Sequence, residues 1–153
     1  MASLIDSCYA IKNRITDFKC AKIIADGGIS NYRNMIKALA LGADYVMLGS
    51  ALNKCKDSAG EIVRTEDGKY KKLYYGMAST LGQEKLGKEP KTPEGKIIYN
   101  DIDGDIESFS KDFIAYLTSA MSYCNTDNIK YFIGKPQLNI ISENSSKQFN
   151  QFQ

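Results

Sequence analysis

The segment that decides the fold is "IIADGGIS", residues 23–30, an apolar run that ends in one aspartate and two glycines. Two adjacent glycines are costly inside a helix or a strand, because glycine loses more conformational freedom on folding than any other residue. Their place directly after an apolar run indicates that the backbone there must stay clear of side chains. The segment predicts a buried strand, a tight turn and the start of a helix.

A second apolar strand is predicted one helix later. Ser30 is the predicted N-cap of the intervening helix, "NYRNMIKALALG", and Gly42 its predicted stop. The apolar stripe of that helix consists of Tyr32, Met35, Ile36, Leu39 and Ala40. "ADYVMLGS", residues 43–50, is again apolar and ends in Gly49 and Ser50. Apolar strands that alternate with helices predict an α/β fold whose parallel sheet is covered on both faces.

The flanking segments predict further elements. Apolar residues recur at helical spacing over residues 3–17, which predicts a first helix. Beyond Ser50, "EIVRT" and "KYKKLYY" flank Asp67-Gly68 and predict a short hairpin. Residues 78–96 contain few apolar side chains and are predicted to form a mobile surface loop.

The last third of the chain predicts one long helix and a polar end. The helix is "DIESFSKDFIAYLTSAMSYC", with six residues expected to face inward: Ile106, Phe109, Phe113, Ile114, Leu117 and Met121. "KYFIGKP" is compatible with a final short strand or an extended segment. We expect one domain over residues 1–141 and a polar, disordered tail over residues 142–153.

Composition excludes several classes of function. The chain has 153 residues and a net charge of +2, which favours neither nucleic acid nor a membrane surface as a partner. It has no apolar run near the roughly 20 residues that a membrane span requires, and its first residues lack the features of a signal peptide. Its four cysteines are scattered and histidine is absent, so we expect no metal site and no Ser-His or Cys-His nucleophile. Such scattered thiols are typical of the cytoplasm.

The two strand ends predict a ligand site. The carboxyl ends of parallel strands bind ligands, and loops after the last two strands of eight-stranded barrels commonly hold a phosphate. Glycines let backbone N–H groups approach phosphate oxygens, and a helix N-terminus adds partial positive charge. Asp26 is suited to accept hydrogen bonds from ribose hydroxyls. The alternative is that both ends are only tight turns. Since two strands cannot form a stable sheet, the chain is expected to be part of a larger domain.

Several ordered motifs resemble one family. "IIADGGIS" followed by "MIKALALGADYVMLGSAL" looks like the final two strands of the IMP dehydrogenase / GMP reductase barrel. "GKYKKLYYGMAS", "PEGK" and a helix ending in "LTSAMSYC" continue the likeness over roughly residues 4–135. The resemblance implies the C-terminal portion of a TIM (β/α)8 barrel: the last two parallel strands with their helices, a hairpin and mobile loop excursion, and a final helix.

The resemblance also implies roles for individual residues. Asp26, Gly27 and Gly28 match positions that hold the ribose and phosphate of a purine nucleotide, and Gly49 and Ser50 match the second half of that cradle. The remaining substrate-binding assignments are Tyr74, Gly76, Met77 and Ala78 at the purine ring, Lys91 where the reductases tend to have arginine, and Gly95.

Two further groups carry chemistry in the family. Glu94 matches a glutamate at the purine N1 edge that takes part in proton transfer during deamination. Residues Ser119, Ala120, Met121 and Ser122 match a cofactor-binding region near a subunit boundary. Without the family, Glu94 is more simply a solvated loop charge, and tyrosines at 74 and 75 are residues that pack a strand.

The residues favour one of the family's two reactions, reduction of GMP, over the other, oxidation of IMP. The short segment between Met77 and Glu94 contains no arginine and resembles GMP reductase, which converts GMP to IMP with NADPH. "MLGS", Ala78 and Pro93 depart from the reductase pattern, so an IMP dehydrogenase-like chain using NAD to oxidise IMP to XMP is the alternative. The nicotinamide supplies the redox chemistry in both cases.

The family's nucleophile has no counterpart in this sequence. The catalytic cysteine of the family lies in a G-x-G-S-x-C loop, and neither Cys8 nor Cys20 stands in such a context. We therefore expect no turnover by this chain alone and a need for the upstream half of the barrel or a full-length relative. Three readings stay open: part of a purine-nucleotide oxidoreductase, a non-catalytic purine-nucleotide-binding module, and a decayed fragment. The family also implies a homotetramer.

Overall fold

A computed structural model describes residues 2–15, 21–139 and 141–150. The elements in chain order are α1 (Ala2–Arg14), β1 (Ile24–Ala25), α2 (Tyr32–Ala40), β2 (Tyr45–Val46), α3 (Ser50–Asn53), β3 (Ile62–Arg64), β4 (Tyr70–Tyr75), α4 (Thr80–Lys85), β5 (Ile97–Asp101), α5 (Ile106–Tyr123), α6 (Ile129–Phe132) and α7 (Glu143–Asn150). The strands form a parallel pair, β1-β2, and an antiparallel sheet in the order β3-β4-β5. No helix in the described ranges is long and apolar enough to cross a membrane.

The parallel pair is covered on one face only. Ile24 lies opposite Tyr45 and Ala25 opposite Val46, which confirms the predicted parallel arrangement. Ala25 packs into the main core with side chains from α1 and α2, and Phe109 and Phe113 of α5 pack against that core. On the other face Ile24 and Tyr45 are 54% and 57% exposed. The expectation of a sheet covered on both faces is therefore wrong here, because the helices that touch the pair all lie on one side.

Helix α2 ends as the sequence predicts but begins one residue later. The N-cap is Asn31, whose side-chain oxygen accepts the Asn34 N–H at 2.9 Å, so the prediction of Ser30 as the cap is wrong. Asn31 competes well for this role because a short amide, like a hydroxyl, reaches the free N–H groups of the first turn. Gly42 follows the C-cap with a φ of 110°, and its N–H bonds to the Leu39 carbonyl at 2.9 Å, which confirms the predicted stop.

The antiparallel sheet extends the predicted hairpin by a third strand. β3 and β4 pair across the Asp67-Gly68 turn, and β5 pairs with the other edge of β4. Residues 78–96 are not the simple loop that the sequence predicts, because α4 forms within them. Ser79 caps this helix by accepting the Gly82 N–H at 3.2 Å. The cap and a close backbone approach at Gly82 give this polar segment an ordered helix.

The C-terminal helices differ from the sequence prediction in three places. Ile106 and Ile114 are exposed on α5 rather than inward, because the helix contacts the body along one stripe: Phe109, Phe113, Leu117 and Met121. "KYFIGKP" forms neither a strand nor an extended segment but the turn of helix α6, which buries Phe132 in the core. Within the tail predicted to fray from Ser142, residues 143–150 form α7, with an ion pair of 3.0 Å between Lys147 and Glu143; residues 151–153 lie outside the described ranges.

Candidate functional site

A cleft of about 370 Å³ opens where β1 and β2 end. Its walls are Asp26, Gly27, Gly28, Ile29, Ser30, Met47, Leu48, Gly49, Ser50 and Tyr74. The two strand ends meet there because the ladder continues past both strands, with the Met47 N–H donating to the Ala25 carbonyl at 2.8 Å. Six residues predicted to bind the nucleotide thus lie around one opening.

The glycine pair turns the chain from β1 into this cleft. Gly27 and Gly28 have φ values of 98° and 72°, in the left-handed region that residues with a Cβ rarely adopt. The turn leads directly to the first residues of α2, whose N-terminal N–H groups carry partial positive charge. Two glycines are needed here because two successive residues take this conformation.

Position 49 must be glycine because the side chain of Tyr74 lies against it. A Cβ on Gly49 would collide with the Tyr74 hydroxyl, so only glycine allows the phenol to reach this wall. Gly49 is also the N-cap of α3 and makes no side-chain hydrogen bond there. The hydroxyl and the first backbone N–H groups of α3 therefore lie together at one end of the cleft.

The predicted purine-reading segment lies farther along the same strand. Tyr74 is two residues before Gly76, a step of about 7 Å along an extended chain. The Glu94 N–H donates to the Ala78 carbonyl at 2.8 Å, and a Cβ on Gly95 would lie 3.8 Å from the Gly76 Cα. The structure thus brings residues 76–78 beside the Glu94-Gly95 pair. Met77 and Glu94 are both exposed to solvent.

Ser79, which sequence analysis did not single out, fixes the turn after this segment. It is buried, and its hydroxyl donates to the Gly76 carbonyl at 2.6 Å. A Cβ on Gly82 would lie 2.7 Å from the Met77 carbonyl oxygen, so α4 packs directly on the backbone of residues 76–77. The signal that could have revealed this turn is a serine N-cap with a glycine three residues later.

A buried ammonium group joins the two parts of the site. Lys72 is 1% exposed, and its Nζ donates to the Cys55 carbonyl at 2.9 Å, the Ser58 Oγ at 3.0 Å and the Ser58 carbonyl. Nearby, the buried Asn53 side chain donates to the Leu73 carbonyl at 3.3 Å. These bonds attach α3 and the turn after it to β4. No feature of the polar sequence "KYKKLYY" distinguishes Lys72 from the neighbouring lysines.

The electrostatics of the cleft are set by one carboxylate and by neutral donors. Asp26 is the only charged side chain among the lining residues, and no lysine or arginine belongs to that set. Next to the cleft, burial raises the pKa of Tyr32, with Asp112 and Asp103 adding to the effect. Burial likewise raises the pKa of the Cys55 thiol. The cleft can therefore recognise an anion through N–H and O–H groups rather than through a cation.

The predicted cofactor residues lie elsewhere. Ser119 to Ser122 occupy the C-terminal half of α5, where Ala120 and Met121 pack near Phe132 while Ser119 and Ser122 are exposed. Phe109, near the start of α5, packs on Tyr32 with ring centres 5.1 Å apart and ring planes tilted by 47°. Ser119 is ten residues farther on, about 15 Å along a helix axis. The structure does not bring these four residues to the cleft.

Lys91 and the described cysteines lie away from the cleft. Lys91 is exposed and does not line the cleft, but its backbone is bonded to Gln83 on α4. Of the cysteines, Cys8, Cys55 and Cys124 are free thiols in the described part of the chain, and none lines the cleft. Cys20 lies outside the described residues.

Comparison with known proteins places this geometry in a family. Residues 3–150 match the model of the "IMP dehydrogenase / GMP reductase domain". GMP reductase 2 of Mus musculus is 37% identical over 111 residues, which are 71% of this chain and 32% of that protein. GMP reductase of Ascaris suum is 31% identical over 134 residues, or 86% of this chain and 37% of the relative. The chain thus spans about a third of the length of these relatives.

A solved structure has the same fold. A variant of GMP reductase from Trypanosoma brucei, in complex with guanosine 5'-monophosphate, superposes with a TM-score of 0.82 at 24% sequence identity. The match covers 97% of this chain and 30% of that one. The chain therefore folds as part of a TIM barrel, with β1 and β2 as adjacent barrel strands. By its sequence match it belongs to the IMP dehydrogenase / GMP reductase family.

Proposed function

We propose that this chain is the nucleotide-binding part of a GMP reductase-type oxidoreductase, which deaminates GMP reductively to IMP with NADPH. The proposal rests on one observation: the cleft and the segment beside Glu94 are connected along a single strand. β4 joins the cleft at Gly49 and Tyr74 to the segment of Gly76 beside Glu94. The curated relatives named above support the substrate, and the chain's share of their length makes the complete activity a proposal.

The cleft at the strand ends would hold the ribose phosphate. Backbone N–H groups at Gly28 and Ser50 and the Tyr74 hydroxyl donate to phosphate oxygens, and the start of α2 adds its dipole. Asp26 accepts hydrogen bonds from the ribose hydroxyls. Because no lysine or arginine lines the cleft, binding should weaken little with added salt. An affinity for GMP that falls steeply between 50 mM and 500 mM salt would contradict this assignment.

The segment after β4 would hold the base. Backbone groups of residues 76–78 bind the purine edge, while Glu94 stands at the end of the same segment to transfer a proton at the purine N1 edge. The Glu94 N–H bond to the Ala78 carbonyl keeps the Glu94 backbone beside residues 76–78. A glutamate in this role acts as a general acid–base catalyst. Such catalysis typically contributes about 10²–10⁴-fold to a rate.

The nucleophile and the rest of the barrel would come from residues outside this sequence. None of the three described cysteines lines the cleft. The exposed face of Ile24, Tyr45 and Met47 is the surface on which the other barrel strands would pack. We therefore propose that turnover requires those strands, with this chain as a cytoplasmic component that assembles, as the family does, into a tetramer.

The fit to the cofactor is partial. NADPH supplies the hydride when it is bound, but Ser119 and Ser122 lie about 15 Å and about 20 Å along the α5 axis from Phe109. They could touch only a remote part of the cofactor, or a cofactor held mainly by a neighbouring subunit.

A chimera tests the proposal. This chain replaces the matching C-terminal third of a GMP reductase, and NADPH oxidation is followed with GMP as substrate. We expect GMP-dependent oxidation that falls at least 100-fold in Glu94→Gln, while Glu89→Gln, an exposed glutamate of the same excursion, stays within about twofold. Activity with IMP and NAD instead would establish the dehydrogenase alternative. GMP binding by the chimera without turnover would favour the non-catalytic nucleotide-binding module.

A further inference from the structure

We infer that Gln83 is a positioning residue that holds the Lys91-to-Glu94 segment in place for the purine. The inference rests on the proposed function, and it concerns a residue that no sequence motif singled out. Gln83 lies on α4, between the predicted base-reading segment and the predicted proton-transfer glutamate.

The Gln83 carboxamide is hydrogen-bonded to both ends of the segment that runs from Ala78 to Lys91. Its Nε2 donates to the Ala78 carbonyl at 3.0 Å and to the Lys91 carbonyl at 3.3 Å. Its Oε1 accepts the Lys91 N–H at 2.9 Å. Only this orientation of the amide is compatible with the surroundings, because the reverse would aim the oxygen at two carbonyl oxygens. One side chain thus fixes three backbone groups, one five residues before Gln83 and two eight residues after it.

The segment held by Gln83 contains a strained residue. Thr92, directly after Lys91, has a φ of 41°, in the left-handed region that a β-branched residue adopts only at a cost. Pro93 follows, and the residue before a proline is already restricted to extended conformations. A strained turn persists only where surrounding contacts stabilise it, and the bonds of Gln83 to Lys91 are adjacent to it.

The effect reaches Glu94 through a shared acceptor. The Ala78 carbonyl accepts both the Gln83 Nε2 and the Glu94 N–H, at 3.0 and 2.8 Å. Ala78 ends the segment proposed to bind the base. Loss of the Gln83 amide should therefore release the turn at Thr92 and widen the range of positions that Glu94 samples. The phosphate cleft should stay unchanged.

Hydrogen exchange in the full chain tests the contact directly, without any nucleotide. Gln83→Met keeps the length of the side chain and removes its hydrogen bonds, and Gln137→Met, at an exposed coil position, is the matched control. We expect the Lys91 and Glu94 amides to exchange at least 10-fold faster in Gln83→Met, with Ala25 and Leu73 amides unchanged. Thr92→Gly in the Gln83→Met background should recover at least half of the lost protection at Glu94, whose acceptor on Ala78 is retained, because glycine tolerates the positive φ. The Lys91 amide should stay fast, because its acceptor is the deleted Gln83 oxygen. Unchanged exchange at both amides would overturn the inference.

Ligand binding by the same variants separates positioning from a merely structural role. Gln83→Met should weaken GMP binding about 10-fold and leave the affinity for ribose 5-phosphate within twofold, since only the base lies near this segment. Equal loss of both ligands, or of neither, would overturn the positioning role. Binding of neither ligand by the unmodified chain would refute the proposed function, and the exchange experiment would then decide alone whether Gln83 orders the turn.

Discussion

Strands β1 and β4 show opposite relations between composition and burial. β1 lies in an entirely apolar run, yet Ile24 is 54% exposed while its neighbour Ala25 is 3% exposed. β4 belongs to the polar segment "KYKKLYY", yet Lys72 and Leu73 are 1% and 8% exposed. Because successive side chains of a strand point to opposite faces, β4 is covered on both faces at its centre and β1 on one.

The difference teaches what each strand depends on. β4 has its partners within this chain: β3 and β5 on its edges, and α3 with the following turn over the Lys72 face. β1 pairs with β2 alone among the described residues and shows solvent an apolar face suited to further barrel strands. The proposed base-reading elements are thus built locally, whereas the proposed phosphate cleft lies at the end of a parallel pair whose apolar face is open.

The largest predicted effect is on the free energy of unfolding, and it differs between the two faces of β1. Ala25→Asp places a carboxylate in the main core without a partner and should lower the free energy of unfolding by about 3–5 kcal/mol. Ile24→Asp, one residue away on the open face, should change it by less than about 0.5 kcal/mol. Urea denaturation followed by circular dichroism measures both. Comparable losses from the two variants would show that the open face is covered in solution.

The next effect concerns the burial of β4. Lys72→Met removes the donor to the Cys55 and Ser58 carbonyls and should cost about 1–3 kcal/mol, since buried acceptors are left without a partner. Lys71→Met, which breaks only the partly exposed pair with Asp101, should cost less than about 1 kcal/mol. Chemical denaturation gives both values. If Lys72→Met cost no more than Lys71→Met, the ammonium would not be what attaches α3 to β4.

A smaller effect tests the contact between the two regions. Gly49→Ala should displace the Tyr74 hydroxyl from the cleft wall and weaken GMP binding about 10-fold, as measured by calorimetry. Tyr74→Phe removes the hydroxyl without a clash and should weaken binding about threefold to tenfold, the value of one hydrogen bond. Because both changes act on the same hydroxyl, the double variant should bind no worse than Gly49→Ala alone. Additive losses would place the two residues in separate sites.

The smallest effect is a dependence of folding stability on pH, which arises at a carboxylate beside the parallel pair. Partial burial by itself would raise the pKa of Asp44, but hydrogen bonds from Lys12, the Ile23 N–H and Lys22 outweigh it and lower that pKa below the ordinary 3.8. The stabilisation is therefore present above pH 3.8 and is lost as the pH falls through the lowered value. Asp44→Asn should flatten the dependence of stability on pH below 4. An unchanged slope would mean that Asp44 does not titrate with folding.

Local patterns predicted the elements whose partners are close in sequence. The parallel strands, the stop at Gly42 and the Asp67-Gly68 hairpin follow from periodicity and turn residues, and the structure contains all three. Coverage of β1 on both faces was a wrong expectation, because composition reports that a strand can be buried and not which element covers it. Helix α4 was overlooked because its stability comes from the Ser79 cap and backbone contact rather than from an apolar stripe.

The site was predictable where backbone chemistry determines it. Asp26, Gly28 and Gly49 could be found because glycines at strand ends have a recognisable purpose, and the cleft contains all three. Lys72 and Gln83 could not, because their roles depend on carbonyl groups that only the folded chain brings within 3.3 Å. A lysine in a lysine-rich strand and a glutamine in a polar helix carry no signal of their own.

The central claim is that the phosphate cleft and the base-reading segment form one nucleotide site. Amide chemical-shift mapping of the full chain with GMP, guanosine and ribose 5-phosphate tests it most directly. We predict that GMP perturbs both groups, Gly28 and Ser50 together with Met77 and Glu94, that guanosine perturbs mainly the second group, and that ribose 5-phosphate perturbs mainly the first. Saturable GMP shifts confined to one group, or no saturable shifts at either, would contradict the claim.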